Sequence, residues 1–203
     1  MKTQRPLAQR FGGAFFCELP FYVNRHVLIP RFDTELLVEE VIKNSKAGSS
    51  VLDLCTGSGC IAVVLAKHDF LVTASDISRK ALRVARRNAR LHNASIKFVR
   101  SNLFENIKQK FDVIVSNPPY IKTSEIGKHD KSILFEPRIA LDGGADGLKF
   151  YREIIKNSRG HLFLEIGHEL ENDVKKLLHE GGFRDIKVVK DKQGLSRVVH
   201  GIF

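Results

Sequence analysis

Apolar residues in this chain come in short runs that alternate with stretches of helical period, a pattern of strands and helices laid side by side. Residues 51–54, 71–75, 96–100, 111–116 and 161–165 are runs rich in aliphatic and aromatic side chains, and each reads as a buried strand. Between them, residues 60–67, 78–91, 147–157 and 169–180 carry apolar positions three and four apart and read as helices. Residues 186–189 and 197–202 close the pattern as two strands around a turn near Gly194, an expected antiparallel pair. Strands alternating with helices predict a doubly wound, mostly parallel α/β sheet of seven strands. The N-terminal part is less regular. Residues 1–13 read as a lead-in, 14–23 and 27–30 as a hairpin-like opening broken by Pro20, and 34–45 as a helix capped by Asp33. Leu37, Val38, Val41 and Ile42 give that helix its inward face. Ala47-Gly48-Ser49-Ser50 ends it, which divides the chain into an N-terminal extension, 1–46, and a main domain, 47–203.

Composition narrows the class. At 203 residues the chain suits one α/β domain, and 43% hydrophobic against 28% charged residues supply a core and exclude a disordered chain. No apolar run approaches a membrane span, and Met1-Lys2-Thr3-Gln4-Arg5-Pro6 lacks the apolar centre of a signal peptide. Cys17, Cys55 and Cys60 show neither CxxC spacing nor an even count, which suits reduced thiols in a cytoplasmic protein. The eight histidines are scattered, so no metal site is expected. A formal charge of +10 raises nucleic acid as a partner. Arg79, Lys80, Arg83, Arg86, Arg87 and Arg90 crowd one predicted helix, as a phosphate-binding face or a solvated outer one. No aromatics interleave the charges, which favours the solvated face. No stable nucleic-acid complex is expected, though the charge suits proximity to RNA.

The candidate chemistry gathers where the predicted strands end, the place ligands take in doubly wound sheets. The first strand runs into Asp53-Leu54-Cys55-Thr56-Gly57-Ser58-Gly59, the second ends at Asp76, the third at Ser101-Asn102, and the fourth at Asn117-Pro118-Pro119-Tyr120. Gly57 and Gly59 let backbone approach a ligand, and Asp76 stands where a carboxylate can accept both hydroxyls of a ribose. The dinucleotide fingerprint needs a further glycine where Val63 and Val64 stand, so a nucleoside without a pyrophosphate fits better. S-adenosyl-L-methionine is the natural candidate. Two prolines in a row cannot continue a sheet ladder, but they hold a rigid turn with uncommitted carbonyls. The Asn117 oxygen and the Pro118 carbonyl beside the Tyr120 ring suit a flat –NH₂ group, as in an amide or a base. A strand-ending turn is the plainer alternative.

Asn117-Pro118-Pro119-Tyr120 with the glycine loop resembles the amino-methyltransferases. Leu28-Ile29-Pro30-Arg31-Phe32-Asp33-Thr34-Glu35, the stretch from Phe135-Glu136-Pro137-Arg138 to Gly147-Leu148, and Leu164-Glu165-Ile166-Gly167 narrow the likeness to the bacterial HemK/PrmC group, the release-factor glutamine methyltransferases. The likeness covers nearly the whole chain. It implies a Rossmann-like methyltransferase sheet and methyl transfer from S-adenosyl-L-methionine to the glutamine of the Gly-Gly-Gln motif in a peptide-chain release factor. It implies that Asn117, Pro118, Pro119 and Tyr120 hold the glutamine. Thr56, Gly57, Gly59, Asp76 and Asn117 would serve the cofactor, with Asn102 near the adenine. A monomer is expected.

Departures from that pattern set further expectations. Cys55 replaces a usual glycine, Asn102 a usual aspartate and Phe32 a usual proline, and the loop at Arg159-Gly160 is short. The family's N-terminal helical domain has no counterpart in these residues, so docking of the partner is expected to differ or to need further sequence. Arg31, Asp33 and Glu35 could line the substrate mouth, and Gly143-Gly144 and Gly147 could form a substrate cover or merely turns. Glu165 reads as a structural acid, and Phe15, Phe16 and Phe150 as core. Two other functions share much of the pattern: methylation of an exocyclic amine on adenine or cytosine, and a degenerate basic module that binds RNA or the ribosome. Cys55 and Asn102 suit the degenerate module, and the intact Asn117-Pro118-Pro119-Tyr120 turn argues against it.

Overall fold

A computed structural model describes residues 6–128 and 131–203, so the start of the lead-in and two residues of the long loop lie outside the described residues. Seven strands form one sheet: β3 (Ser50–Leu54), β4 (Leu71–Asp76), β5 (Ile96–Arg100), β6 (Val113–Ser116), β7 (His161–Glu165), β8 (Arg184–Lys190) and β9 (Ser196–Ile202). Their spatial order is β5-β4-β3-β6-β7-β9-β8. The first five pair in parallel, and β9 runs antiparallel between β7 and β8. The doubly wound fold and its C-terminal strand pair are as the sequence predicts.

Both faces of the central strands are buried, which is why they read as unbroken apolar runs. On one face Val51, Val72, Val113, Val115 and Phe163 pack against helices α2 (Phe32–Asn44) and α3 (Cys60–Lys67). On the other, Leu52, Leu54, Ile114, Leu162 and Leu164 pack against α5 (Lys149–Asn157) and α6 (Glu171–Glu180). Successive residues alternate between the two cores, as the period of a strand requires. Helix α4 (Arg79–Leu91) buries its alanines along with Leu82 and Val84, and Ser78 caps it by accepting from the Ala81 N–H at 3.2 Å.

The structure departs from expectation in four places of the N-terminal part and at Phe150. Helix α1 (Leu7–Phe11) stands inside the expected lead-in. Pro20 does not break the hairpin of β1 (Gly13–Phe16) and β2 (Leu19–Tyr22) but pairs with Phe15 inside it, since every strand of a two-stranded ribbon is an edge. Phe15 is 75% exposed whereas Phe16 is fully buried, so only one of this pair belongs to the core. Phe150 is half-buried beside the second core. Asp33 is not the cap of α2: the helix begins at Phe32, and Asp33 in its first turn lies 3.3 Å from Arg197 of β9.

Candidate active site

A cavity of about 740 Å³ lies beyond the carboxyl ends of β3, β4, β5 and β6. Cys55, Thr56, Gly57, Asp76, Asn102, Asn117 and Pro119 all reach its wall, so the topology gathers most of the sequence-predicted residues. Gly59, Pro118 and Tyr120 do not form that wall. Gly59 has φ +81°, and a Cβ there would come within 2.9 Å of Ala85, so it serves the close packing of the glycine loop on α4.

Asp76 is fixed by backbone. Its Oδ2 accepts the Gly57 N–H at 3.0 Å and its Oδ1 the Ser78 N–H at 2.8 Å, which leaves each oxygen a lone pair for a ligand hydroxyl. Burial raises its pKa, against the pull of those two N–H groups. A Cβ on Gly57 would meet only the Cys55 carbonyl, at 3.9 Å, so the loop presents bare backbone to the cavity. Thr56 donates to the wholly buried Asp53 at 2.6 Å, and burial pushes that carboxyl up to about 7. Cys55 adopts φ +60°, the left-handed conformation that glycine takes freely, so the loop keeps its path at a cost of roughly 1–2 kcal/mol. Its thiol, pushed up to about 12 by burial, stays neutral. Asn102 donates its amide N–H to Glu105 at 2.7 Å, which leaves Oδ1 as an acceptor such as an aspartate would offer.

Asn117 is held in one orientation. Its Nδ2 donates to Thr34 Oγ1 at 3.2 Å, and its Oδ1 takes no hydrogen bond among the described residues. Behind it lies Glu165, wholly buried, with its pKa raised to about 7 chiefly by burial. The neighbouring Thr34 hydroxyl and the Tyr120 phenol, 3.5 Å away, act against that rise, and Oε2 keeps no regular hydrogen bond among the described residues. Glu165 ends β7 and lies buried directly beneath the turn. Burial also raises the Tyr120 phenol.

Three supports hold the site, and two of them, Asn88 and Glu136, have no role in the sequence reading. Asn88 is fully buried and joins the hairpin to the glycine loop, with Oδ1 accepting the Tyr22 N–H at 2.8 Å and Nδ2 donating to the Tyr22 and Ser58 carbonyls. Glu136 accepts the Ile29 N–H at 2.8 Å and pairs with Arg31, which ties the long loop to the segment before α2. The third support is the glycines of the long loop. Residues 141–144 run beside 121–123, with the Ile121 N–H donating to the Leu141 carbonyl at 2.9 Å and the Gly143 N–H to the Ile121 carbonyl at 2.8 Å. A Cβ on Gly143 would lie 2.6 Å from the Tyr120 Cα, and one on Gly147 2.6 Å from the Tyr120 carbonyl oxygen. Gly143 and Gly147, expected as a substrate cover or plain turns, do not line the cavity and instead brace the back of the turn. Arg31 does reach the cavity wall, whereas Glu35 turns away to accept the Cys17 N–H at 2.7 Å. Polar partners separated by 66 or 107 residues leave no local pattern to find.

A seven-stranded sheet in this order, with a glycine loop, an acid at the end of the neighbouring strand and an Asn-Pro-Pro-Tyr turn that brings Asn117 and Pro119 to the same cavity, defines a methyltransferase. The family described as "Methyltransferase small domain" matches residues 31–140. The release factor glutamine methyltransferase of Thermodesulfovibrio yellowstonii is 42% identical over 97% of this chain and 76% of its own length. The counterpart from Geobacter sulfurreducens is 41% identical over 98% of this chain and 73% of its own. Among solved structures, the release factor-specific protein-(glutamine-N5) methyltransferase of Alicyclobacillus acidocaldarius is 32% identical, with a TM-score of 0.50 over 85% of this chain and 93% of that one. The chain belongs to the release factor glutamine methyltransferase family.

Proposed function

We propose that this chain transfers a methyl group from S-adenosyl-L-methionine to the side-chain amide nitrogen of the glutamine in the Gly-Gly-Gln motif of a peptide-chain release factor. The observation that carries this reading is Asn117: Thr34 engages its amide nitrogen, so its oxygen is the atom left for a substrate N–H. The cavity fits the methyl donor. Asp76 suits the two hydroxyls of a ribose, bare backbone at Gly57 and the Thr56 region suit its amino-acid end, and Asn102 offers an acceptor at the adenine end. When bound, the donor supplies an electrophilic methyl on a sulfonium.

An amide nitrogen is a poor nucleophile because its lone pair is delocalised into the carbonyl. Asn117 Oδ1 and the Pro118 carbonyl, each accepting one N–H, orient that nitrogen and favour the positive charge that grows on it. Both acceptors are rigid. Two prolines fix the backbone, the loop glycines brace it, and Thr34 fixes the amide. The test is incubation of the chain with isotopically labelled donor, a full-length release factor and total nucleic acid, followed by mass spectrometry. Label on the Gly-Gly-Gln glutamine is expected, and label on nucleobases with none on the release factor would overturn the reading.

A further inference from the structure

The positive charge of this protein is concentrated on one flank. Residues 77–110 hold ten lysines and arginines against one acid, Glu105, a surplus of nine where the whole chain has a surplus of ten. The other residues carry 23 basic and 22 acidic side chains, nearly in balance. All ten of the flank's cations are exposed. They lie on α4, on β5 at the outer edge of the sheet, and on the connection from β5 to β6.

Arg79, Arg83, Arg86 and Arg90, spaced by four, three and four residues, form a single stripe along α4, with Lys80 and Arg87 beside it. None of these six forms an ion pair among the described residues, although Arg, Lys and His elsewhere in the chain do so repeatedly. Two of the guanidinium groups are instead set over aromatic rings supplied by other elements. Arg87 lies 3.6 Å from the centre of the Tyr22 ring and Arg86 5.4 Å from that of Phe98. The absence of interleaved aromatics in the sequence is therefore repaired in space. The stripe starts at the cavity, where Ser78 and Ala81 form part of the wall, and Lys80, Arg83 and Arg25 all act on His26 at the same rim.

We propose that this flank is a docking surface for the phosphate backbone of structured RNA. Uncompensated, exposed arginines in a straight row suit a polyanion with regularly spaced phosphates, and guanidinium groups grip phosphate oxygens in pairs. A lipid surface fits less well, because the apolar side of α4 is buried in the protein and cannot enter a bilayer. The choice of RNA over other polyanions rests on the function proposed above, since a release factor works where the abundant polyanion is RNA.

The test is the affinity of the whole chain for a fluorescent RNA stem–loop between 50 and 200 mM salt. Matched DNA, polyglutamate and anionic phosphatidylserine vesicles serve as comparisons. The variant Arg79→Gln, Arg83→Gln, Arg86→Gln, Arg90→Gln is set against one of equal net charge, Lys156→Gln, Lys187→Gln, Lys190→Gln, Lys192→Gln. The stripe variant is expected to lose RNA affinity at least about tenfold, with a log–log salt slope shallower by about three units, while the control keeps both. Melting temperature and methylation of isolated release factor are expected to stay unchanged in both. Equal losses in the two variants, or DNA, polyglutamate or vesicles bound as tightly as RNA, would overturn the proposal. If wild type binds RNA but does not methylate release factor, the proposed function falls and the docking surface stands. If it methylates but does not bind RNA, the reverse holds.

Discussion

Asn117 separates chemistry from architecture at the scale of one residue. Its oxygen is expected to act as the methyl moves, so its loss belongs in kcat rather than in cofactor affinity. Asn117→Ala should slow turnover about 10²–10³-fold, or about 2.7–4 kcal/mol, by analogy with removal of one preorganised oxyanion-hole group. Single-turnover rates, cofactor affinity and melting temperature measured on one preparation check this. A folded variant that binds cofactor and methylates at the wild-type rate would remove the mechanism. Asp76 gives a different signature, because it also holds the Gly57 and Ser78 N–H groups. Asp76→Ala should weaken cofactor binding by about 1–3 kcal/mol and lower the melting temperature as well. Calorimetry showing wild-type cofactor affinity would discard the ribose assignment.

At the scale of the element, the brace makes a test that no cavity residue can make. Gly143→Ala would drive a Cβ into the Tyr120 backbone and displace the turn. Turnover should fall about 10²-fold, the scale of an ångström's misplacement of reacting groups. Gly127→Ala, at an exposed position with nothing within 4 Å of the added carbon, should leave the rate unchanged. Equal rates in the two variants would mean that the loop does not position the turn. The same elements show how far the sequence could be read. Residues Ile96–Arg100, His161–Glu165 and Cys60–Lys67 stand where the apolar pattern put them, because burial on one or both faces writes itself into the chain. The roles of Pro20, Asp33 and Phe15 depend on a ribbon edge, on Arg197 and on solvent, none of which is local, so the sequence pattern does not carry them. In the site, Asp76, Gly57 and Asn117 were legible from motif spacing. Asn88, Thr34 and Glu136 were not, because each is a polar plug between segments distant in sequence.

For the whole molecule, two buried acids set a pH dependence. Asp53 and Glu165 titrate near 7 in the folded protein, well above the ordinary carboxylate range. The folded state therefore holds protons that the unfolded chain has lost between about pH 4.5 and 7. The stabilisation from these groups is fully present below that window and is lost as pH rises through 7. Glu165→Gln should accordingly lose the Glu165 share of this dependence, keep that of Asp53, and gain most over wild type at pH 8. Urea melts at pH 5 and pH 8 check this, and an equal effect at both would show that Glu165 is not buried as a proton-holding acid.

The placement of β9 between β7 and β8 bears on how the chain is made. A ribosome delivers β8 before β9, so β8 emerges with no neighbour to pair with, and β7 waits with an open edge. Only when residues 196–202 arrive does β8 gain a partner and β7 its second one. The nascent sheet stays open to pairing with other chains until that moment, and its closure is a late, cooperative event rather than a strand-by-strand accretion. Losing this one strand would therefore leave β8 unpaired and β7 with an open edge, held only by β6.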